Sequence, residues 1–199
     1  MKKYFIIICL LLFSTTSFSQ IFNGGGYIGF SVSQVDGDSL GGYNKSGFVA
    51  GGFVNTEIKE NLHFQFEFKW IQKGSKTDKK IETSEDYYEL QFNYIEMPFL
   101  IKYYYKEKII FETGLAEGYL FKAQEDTDGY GFREPGFTYK KLETSFLAGI
   151  SYMLLNNLFV NARLNYSIIP ITNQTAGGRG WIKKGQFNNV LSFTVYYQL

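Results

Sequence analysis

Between Leu62 and Trp70 the chain alternates without a break: Leu62, Phe64, Phe66, Phe68 and Trp70 are apolar, and His63, Gln65, Glu67 and Lys69 between them are polar. On a helix, positions two apart would spread around the circumference; on a strand they fall on one face. The segment is therefore a strand with one greasy face and one charged face. Leu158 to Ile168 repeats the pattern, with Asn161, Arg163 and Asn165 among its polar members, and Leu191 to Leu199 repeats it again. A soluble sandwich would turn the apolar face inward, whereas a membrane barrel would turn it outward. Phe, Trp and Tyr crowd one face and Glu, Lys, Arg and Gln the other, which fits lipid outside and a polar lumen inside.

Eight strands follow, at about 25 to 33, 46 to 57, 62 to 73, 87 to 104, 109 to 122, 139 to 153, 158 to 169 and 187 to 199. Short polar turns fall at 58 to 61, 105 to 108 and 154 to 157, and longer loops at 34 to 45, 74 to 86, 123 to 138 and 170 to 186. Short periplasmic turns alternating with long extracellular loops are the plan of an outer-membrane barrel, and they argue against a sandwich. The fold class expected is all-β: an eight-stranded antiparallel up-and-down transmembrane β-barrel. A weak repeat agrees, since Asn61-Leu62, Lys108-Ile109 and Asn157-Leu158 each open a strand just after a short turn. Tyr103 to Tyr105 would supply a periplasmic aromatic girdle, and Trp70, Tyr87 and Tyr88 an extracellular one. The composition suits strands, with 20 Phe, 16 Tyr and 21 Gly against three Pro. After residue 20 no stretch is long and apolar enough for a transmembrane helix, as is usual where the spanning strands alternate.

Met1 to Gln20 reads as a cleaved signal peptide. Lys2 and Lys3 precede the apolar run Tyr4 to Phe13, and Ser17 and Ser19 suit the positions before a cleavage site near Gln20 or Ile21. The remaining 21 to 199 forms one barrel domain placed in the cell outer membrane. Cys9, the only cysteine, lies in the leader, so the mature chain has no disulfide, thiolate nucleophile, cysteine metal ligand or lipid-anchoring cysteine. Without Lys2 and Lys3, 18 basic residues face 19 acidic ones, a balance that does not suggest nucleic-acid binding.

Several segments carry a family likeness: Gly26-Tyr27-Ile28-Gly29, Gly47 to Phe53, Phe66 to Ser75 with its Gln72-Lys73-Gly74-Ser75, Asn93 to Pro98, Glu112-Thr113-Gly114, and Ser167 to Pro170. Together they resemble the PorT-like outer-membrane β-barrel family of the Bacteroidetes, over nearly the whole mature chain. Asn93-Tyr94-Ile95-Glu96-Met97-Pro98 is the most specific of them. The resemblance implies an eight-stranded barrel in the outer membrane and little chemistry.

Strand parity turns Glu67, Lys69, Glu96, Lys102, Glu112, Glu117, Glu143 and Arg163 toward the lumen. They form either a polar pore or an ion-paired plug. Eight strands leave an interior just wide enough for side chains to fill, and unpaired charges there would be costly, so the plug is favoured. Gly24, Gly26 and Gly29 have the G-x-G-x-x-G spacing, but no strand precedes them and no helix follows, as nucleotide binding would require. His63, the only histidine, follows a periplasmic turn, far from where an enzyme acting on outer-leaflet lipid would need it. Asp36 and Asp38, and Asp126 with Asp128 and Gly129, lack full calcium-loop spacing. The 74 to 86 loop and its flank set Lys73, Lys76, Lys79 and Lys80 beside Glu82, Glu85 and Asp86, suited to lipopolysaccharide phosphates or simply to water.

No catalytic, cofactor or metal site is read from these residues, and the chain is expected not to be an enzyme. The leading expectation is a structural or partner-binding barrel linked to secretion or envelope assembly, with outer-membrane lipid, lipopolysaccharide and an envelope or secretion-system protein as partners. A narrow channel for ions or small solutes is the alternative. A lipid-modifying enzyme is a third reading.

Overall fold

A computed structural model describes residues 22–77, 87–106, 108–127, 129–172 and 185–199. Eight strands run in order: β1 (Phe22–Asp36), β2 (Lys45–Lys59), β3 (Leu62–Lys76), β4 (Glu89–Tyr105), β5 (Ile109–Asp126), β6 (Leu142–Leu155), β7 (Leu158–Ser167) and β8 (Phe187–Gln198). Each pairs antiparallel with the next, and β8 returns to β1 from Gly25↔Gln198 to Asp36↔Phe187, closing the barrel. Closure removes both sheet edges. The expected strands are all present. Most extend past their expected ends, because long outer-loop flanks go on pairing: Glu89↔Asp126 continues the β4–β5 ladder, and Lys76↔Glu89 that of β3–β4.

The tight turns sit where left-handed backbone is tolerated or forced. Asn61 (φ 63°) closes β2 to β3 and Lys106 (φ 47°) opens the β4–β5 connection; an Asn takes this conformation more readily than most residues. Register shifts at Glu57/Lys59 and Met153/Leu155 place a bulge beside each of two turns. The β3–β4 ladder skips Glu67 and Phe68, opposite Met97 and Pro98, where Pro98 has no N–H to give.

The two faces are inverted relative to a soluble protein. Phe68 is 58% exposed while Lys69 beside it is 2% exposed. Apolar side chains cover the outside of every strand, and Glu, Lys, Arg, Asn and Gln fill the inside. A sandwich would reverse this, so the alternation resolves in favour of a lipid-facing barrel.

Apolar layers bound the lumen at both ends. Val35, Ile71, Leu90, Phe92, Tyr139 and Ile171 close the outer end, while Phe53, Ile110 and Phe159 form a floor near the short turns. The expected start of the sixth strand at 139 is corrected to Leu142: Tyr139 is drawn into the outer layer, edge-on to Phe92 with ring centroids 4.6 Å apart. The expected leader, Lys79, Lys80, Glu82, Glu85, Asp86 and Asp128 lie outside the described residues.

Candidate functional site

The inward residues form two linked charge clusters between the apolar layers. Nearer the floor, Arg163 of β7 crosses the lumen to Glu67 of β3, with Nη1 and Nη2 donating to Oε2 and Oε1 at 2.8 and 2.9 Å. Its Nε donates to Glu112 of β5 at 2.5 Å, and Nη2 also reaches the Tyr196 hydroxyl at 3.0 Å. Glu67 accepts further from Tyr27 at 2.8 Å and Gln65 at 2.6 Å. Tyr27 and Tyr196 stack with centroids 4.2 Å apart, bracing both hydroxyls. Lys102 donates to Gln65 at 2.9 Å and stands 3.6 Å from Glu112. A planar guanidinium holding one carboxylate by two parallel bonds is geometrically demanding, and here it ties three strands together.

The outer cluster is built on lysines. Lys69 meets Glu96 at 2.6 Å, and Lys73 bridges Glu96 and Glu143 at 2.5 and 2.7 Å. Asn188 and Ser145 donate to Glu143, and Asn165 to Glu96. Lys73 also lies over the Tyr94 ring, 4.8 Å from its centroid. Across both clusters four acids, Glu67, Glu96, Glu112 and Glu143, balance four bases, Lys69, Lys73, Lys102 and Arg163. The plug is electroneutral.

Glycine makes room for it. Glu112, Gly149 and Arg163 share one row across β5, β6 and β7, and a Cβ at Gly149 would stand 2.6 Å from Glu112 Oε1. In a second row, Tyr27 lies over Gly51, where a Cβ would meet its ring and hydroxyl at 2.6 Å. The lumen keeps a cavity of about 10 Å³ beside Lys102, Tyr104 and Tyr196, about the room one water needs.

The structure places Glu67, Lys69, Glu96, Lys102, Glu112, Glu143 and Arg163 inside, and it corrects Glu117. That side chain is exposed on the outer wall and accepts from Thr144 at 3.1 Å. Glu112 and Glu117 are five residues apart on one strand, an odd spacing that sends them to opposite faces. Lys73, read with the loop lysines, is instead wholly buried in the plug; its even spacing from Lys69 was the available signal. Tyr104, expected in the periplasmic girdle, turns inward over His63 with centroids 4.3 Å apart, leaving Tyr103 and Tyr105 outside.

Beyond the wall, the 129–140 segment folds back on β5. Glu125 and Arg133 exchange backbone bonds at 2.9 and 2.8 Å, and the Glu125 carboxylate accepts from Gly136 at 2.8 Å. Asp126 takes the Gly129 and Gly131 amides at 2.7 and 3.1 Å, so its oxygens close a turn. Burial pushes the Tyr139 phenol up to about 12 and raises that of Tyr88.

Residues 18–173 match the outer membrane protein beta-barrel domain family. The chain belongs to this family. Its fold is similar to Neisserial surface protein A (16% identity, 89% of this chain and 97% of that one, TM-score 0.54). It is also similar to Ail of Yersinia pestis (15% identity, 89% and 98%, TM-score 0.52). A second Ail structure, in complex with the heparin analogue sucrose octasulfate, aligns at 13% identity over 89% and 99% with TM-score 0.51. These likenesses are in fold. No curated protein matches the sequence.

Proposed function

We propose that this outer-membrane barrel is closed and non-enzymatic, and that it works through its outer loops and rim. It would stabilise the envelope or present those loops to a partner of a secretion or envelope-assembly system, as the PorT-like resemblance suggests. The observation that carries this reading is the lumen. Four acids and four bases fill it in mutual contact, apolar layers bound it at both ends, and beside Lys102 and Tyr196 a cavity of only about 10 Å³ remains. A hydrated ion has no path through such a filling, and the charged groups are engaged with one another rather than lining an open binding space. His63, half-buried against Tyr104 at the floor, is likewise remote from the outer leaflet.

The test is conductance. The purified barrel in a planar bilayer should give no steady ion current, and the Glu67→Gln and Arg163→Met variants should raise current if they change it at all. A sustained wild-type current that vanishes on either substitution would replace the plug with the channel reading. Cross-linking in intact cells addresses the partner: a reproducible envelope protein recovered through the outer loops supports a presenting role, and lipid alone supports a structural one. N-terminal sequencing of the membrane form should begin near Gln20 or Ile21; a start at Met1 would overturn the proposed leader cleavage.

A further inference from the structure

A groove of about 640 Å³ opens at the outer rim, between the end of β5 and the returning 132–141 segment. Its cations are Lys122, Arg133 and Lys141, and its acid is Glu134, a surplus of two positive charges. Lys122 and Lys141 are both exposed. Among the described residues, the neighbouring loop acids Glu125 and Asp126 are buried on backbone amides of the same loop. Arg133 is anchored to the Thr127 hydroxyl and fixes the groove's far wall.

The apolar part of the groove is equally unusual for a loop in water. Phe121, Phe132 and Phe137 are exposed by 47%, 43% and 54%. They continue the lipid-facing apolar wall upward, with Leu142 and Tyr119 directly below, paired across β5 and β6. Exposed rings beside exposed cations, directly above the apolar outer wall, match one kind of molecule in both its parts. Its phosphate meets the lysines and its acyl chains lie along the rings.

We propose that this groove binds a phosphate-bearing glycolipid of the outer leaflet, held by Lys122 and Lys141 and seated on Phe121, Phe132 and Phe137. The proposal rests on the reading that the barrel works through its outer rim, and it names the ligand class that rim would take. A lipid, not a soluble anion, is the occupant because the rings would otherwise remain wetted.

Native mass spectrometry of the full barrel released from neutral detergent tests it, with bis-phosphorylated lipid A as probe. Three comparisons decide the outcome: the same lipid dephosphorylated, its acyl-free disaccharide bisphosphate, and the variants Lys122→Gln/Lys141→Gln and Lys59→Gln/Lys108→Gln. Lys59 and Lys108 are exposed at the opposite end. The rim pair should weaken lipid A binding by roughly 30-fold, the loss of two lysines that each hold an anionic surface. The control pair should leave it unchanged, and the dephosphorylated lipid should be insensitive to both. Unboiled gel mobility verifies that every variant folds. Equal weakening by the two pairs, no weakening by the rim pair, or equally tight binding of the acyl-free bisphosphate would overturn the proposal. None of these results depends on conductance, so a failure here is distinct from a failure of the plug.

Discussion

Arg163 is held by groups from three other strands, Glu67, Glu112 and Tyr196, and is 2% exposed. Removing it leaves two carboxylates facing each other out of water, which costs more than the pair itself contributes. Arg163→Met should therefore destabilise the barrel by about 3–5 kcal/mol in urea unfolding from lipid bilayers. Adding Glu67→Gln restores charge balance in the plug, so the double variant should recover at least part of that loss; a double variant less stable than the single one would refute the electroneutral reading. Space matters as much as charge. Gly149→Ala would press its Cβ to 2.6 Å from Glu112 Oε1 and 2.9 Å from the Ala162 carbonyl, whereas Gly52→Ala on the outer wall meets nothing nearer than 3.5 Å. The first should cost roughly 1–3 kcal/mol in the same unfolding assay and the second well under 1. Parity made Glu67, Lys69 and Arg163 legible in the sequence, because each lies on a strand with unbroken alternation. Strict application of the same rule separates Glu112 from Glu117 and draws Lys73 inward. Gly149 and Gly51 carried no such signal, since what they accommodate lies on neighbouring strands.

Among the strands, those that alternate cleanly, β3, β7 and β8, are the ones whose register the sequence indicated best. The outer ends were less legible. Gln34 and Asp36 look like loop residues, yet they continue β1 because Asn189 and Phe187 of β8 offer ladder partners, a long-range pairing that local composition does not encode. The 129–140 segment is a clearer case: Tyr139 leaves the strand it was expected to start because Phe92 and the outer apolar layer receive its ring. Burial there pushes its phenol up to about 12, against an ordinary value of about 10. The folded loop thus favours the neutral ring, so its contribution to closing the segment is complete below about pH 10 and declines as pH rises toward about 12. A nitroxide on Glu134→Cys should report immobile loop motion at neutral pH and growing mobility across that window. The same label on Tyr88→Phe/Tyr139→Phe, which keeps only the exposed Tyr130 phenol in that segment, should show little change. Equal loosening of both proteins would assign the transition to other groups.

At the scale of the whole molecule, one physical demand organises the rest: the polar backbone and polar side chains must be satisfied without water while the apolar face meets lipid. The ladder from β1 round to β8 meets the first part, and the plug's ion pairs neutralise the buried charges of the second. Closure was implied by the even strand count and the short-long connections, but which ends meet is visible only in the fold, where Leu199 donates to the Gly24 carbonyl at 2.9 Å. Gly24 and Leu199 are therefore neighbours at the short-turn end of the barrel, and every hairpin turn is topologically equivalent to that gap. A circular permutant that joins Leu199 to Phe22 through a short glycine-serine linker, and opens the chain at Lys106 in the β4–β5 turn, keeps all eight strand pairings. It should refold in detergent with the heat-modifiable gel mobility of the parent, with a modest loss of stability because the opened turn no longer holds β4 to β5 in the unfolded chain. An open sheet or a sandwich, whose first and last strands are not partners, would lose its order under the same permutation, so a permutant without heat-modifiable mobility would count directly against β1–β8 closure.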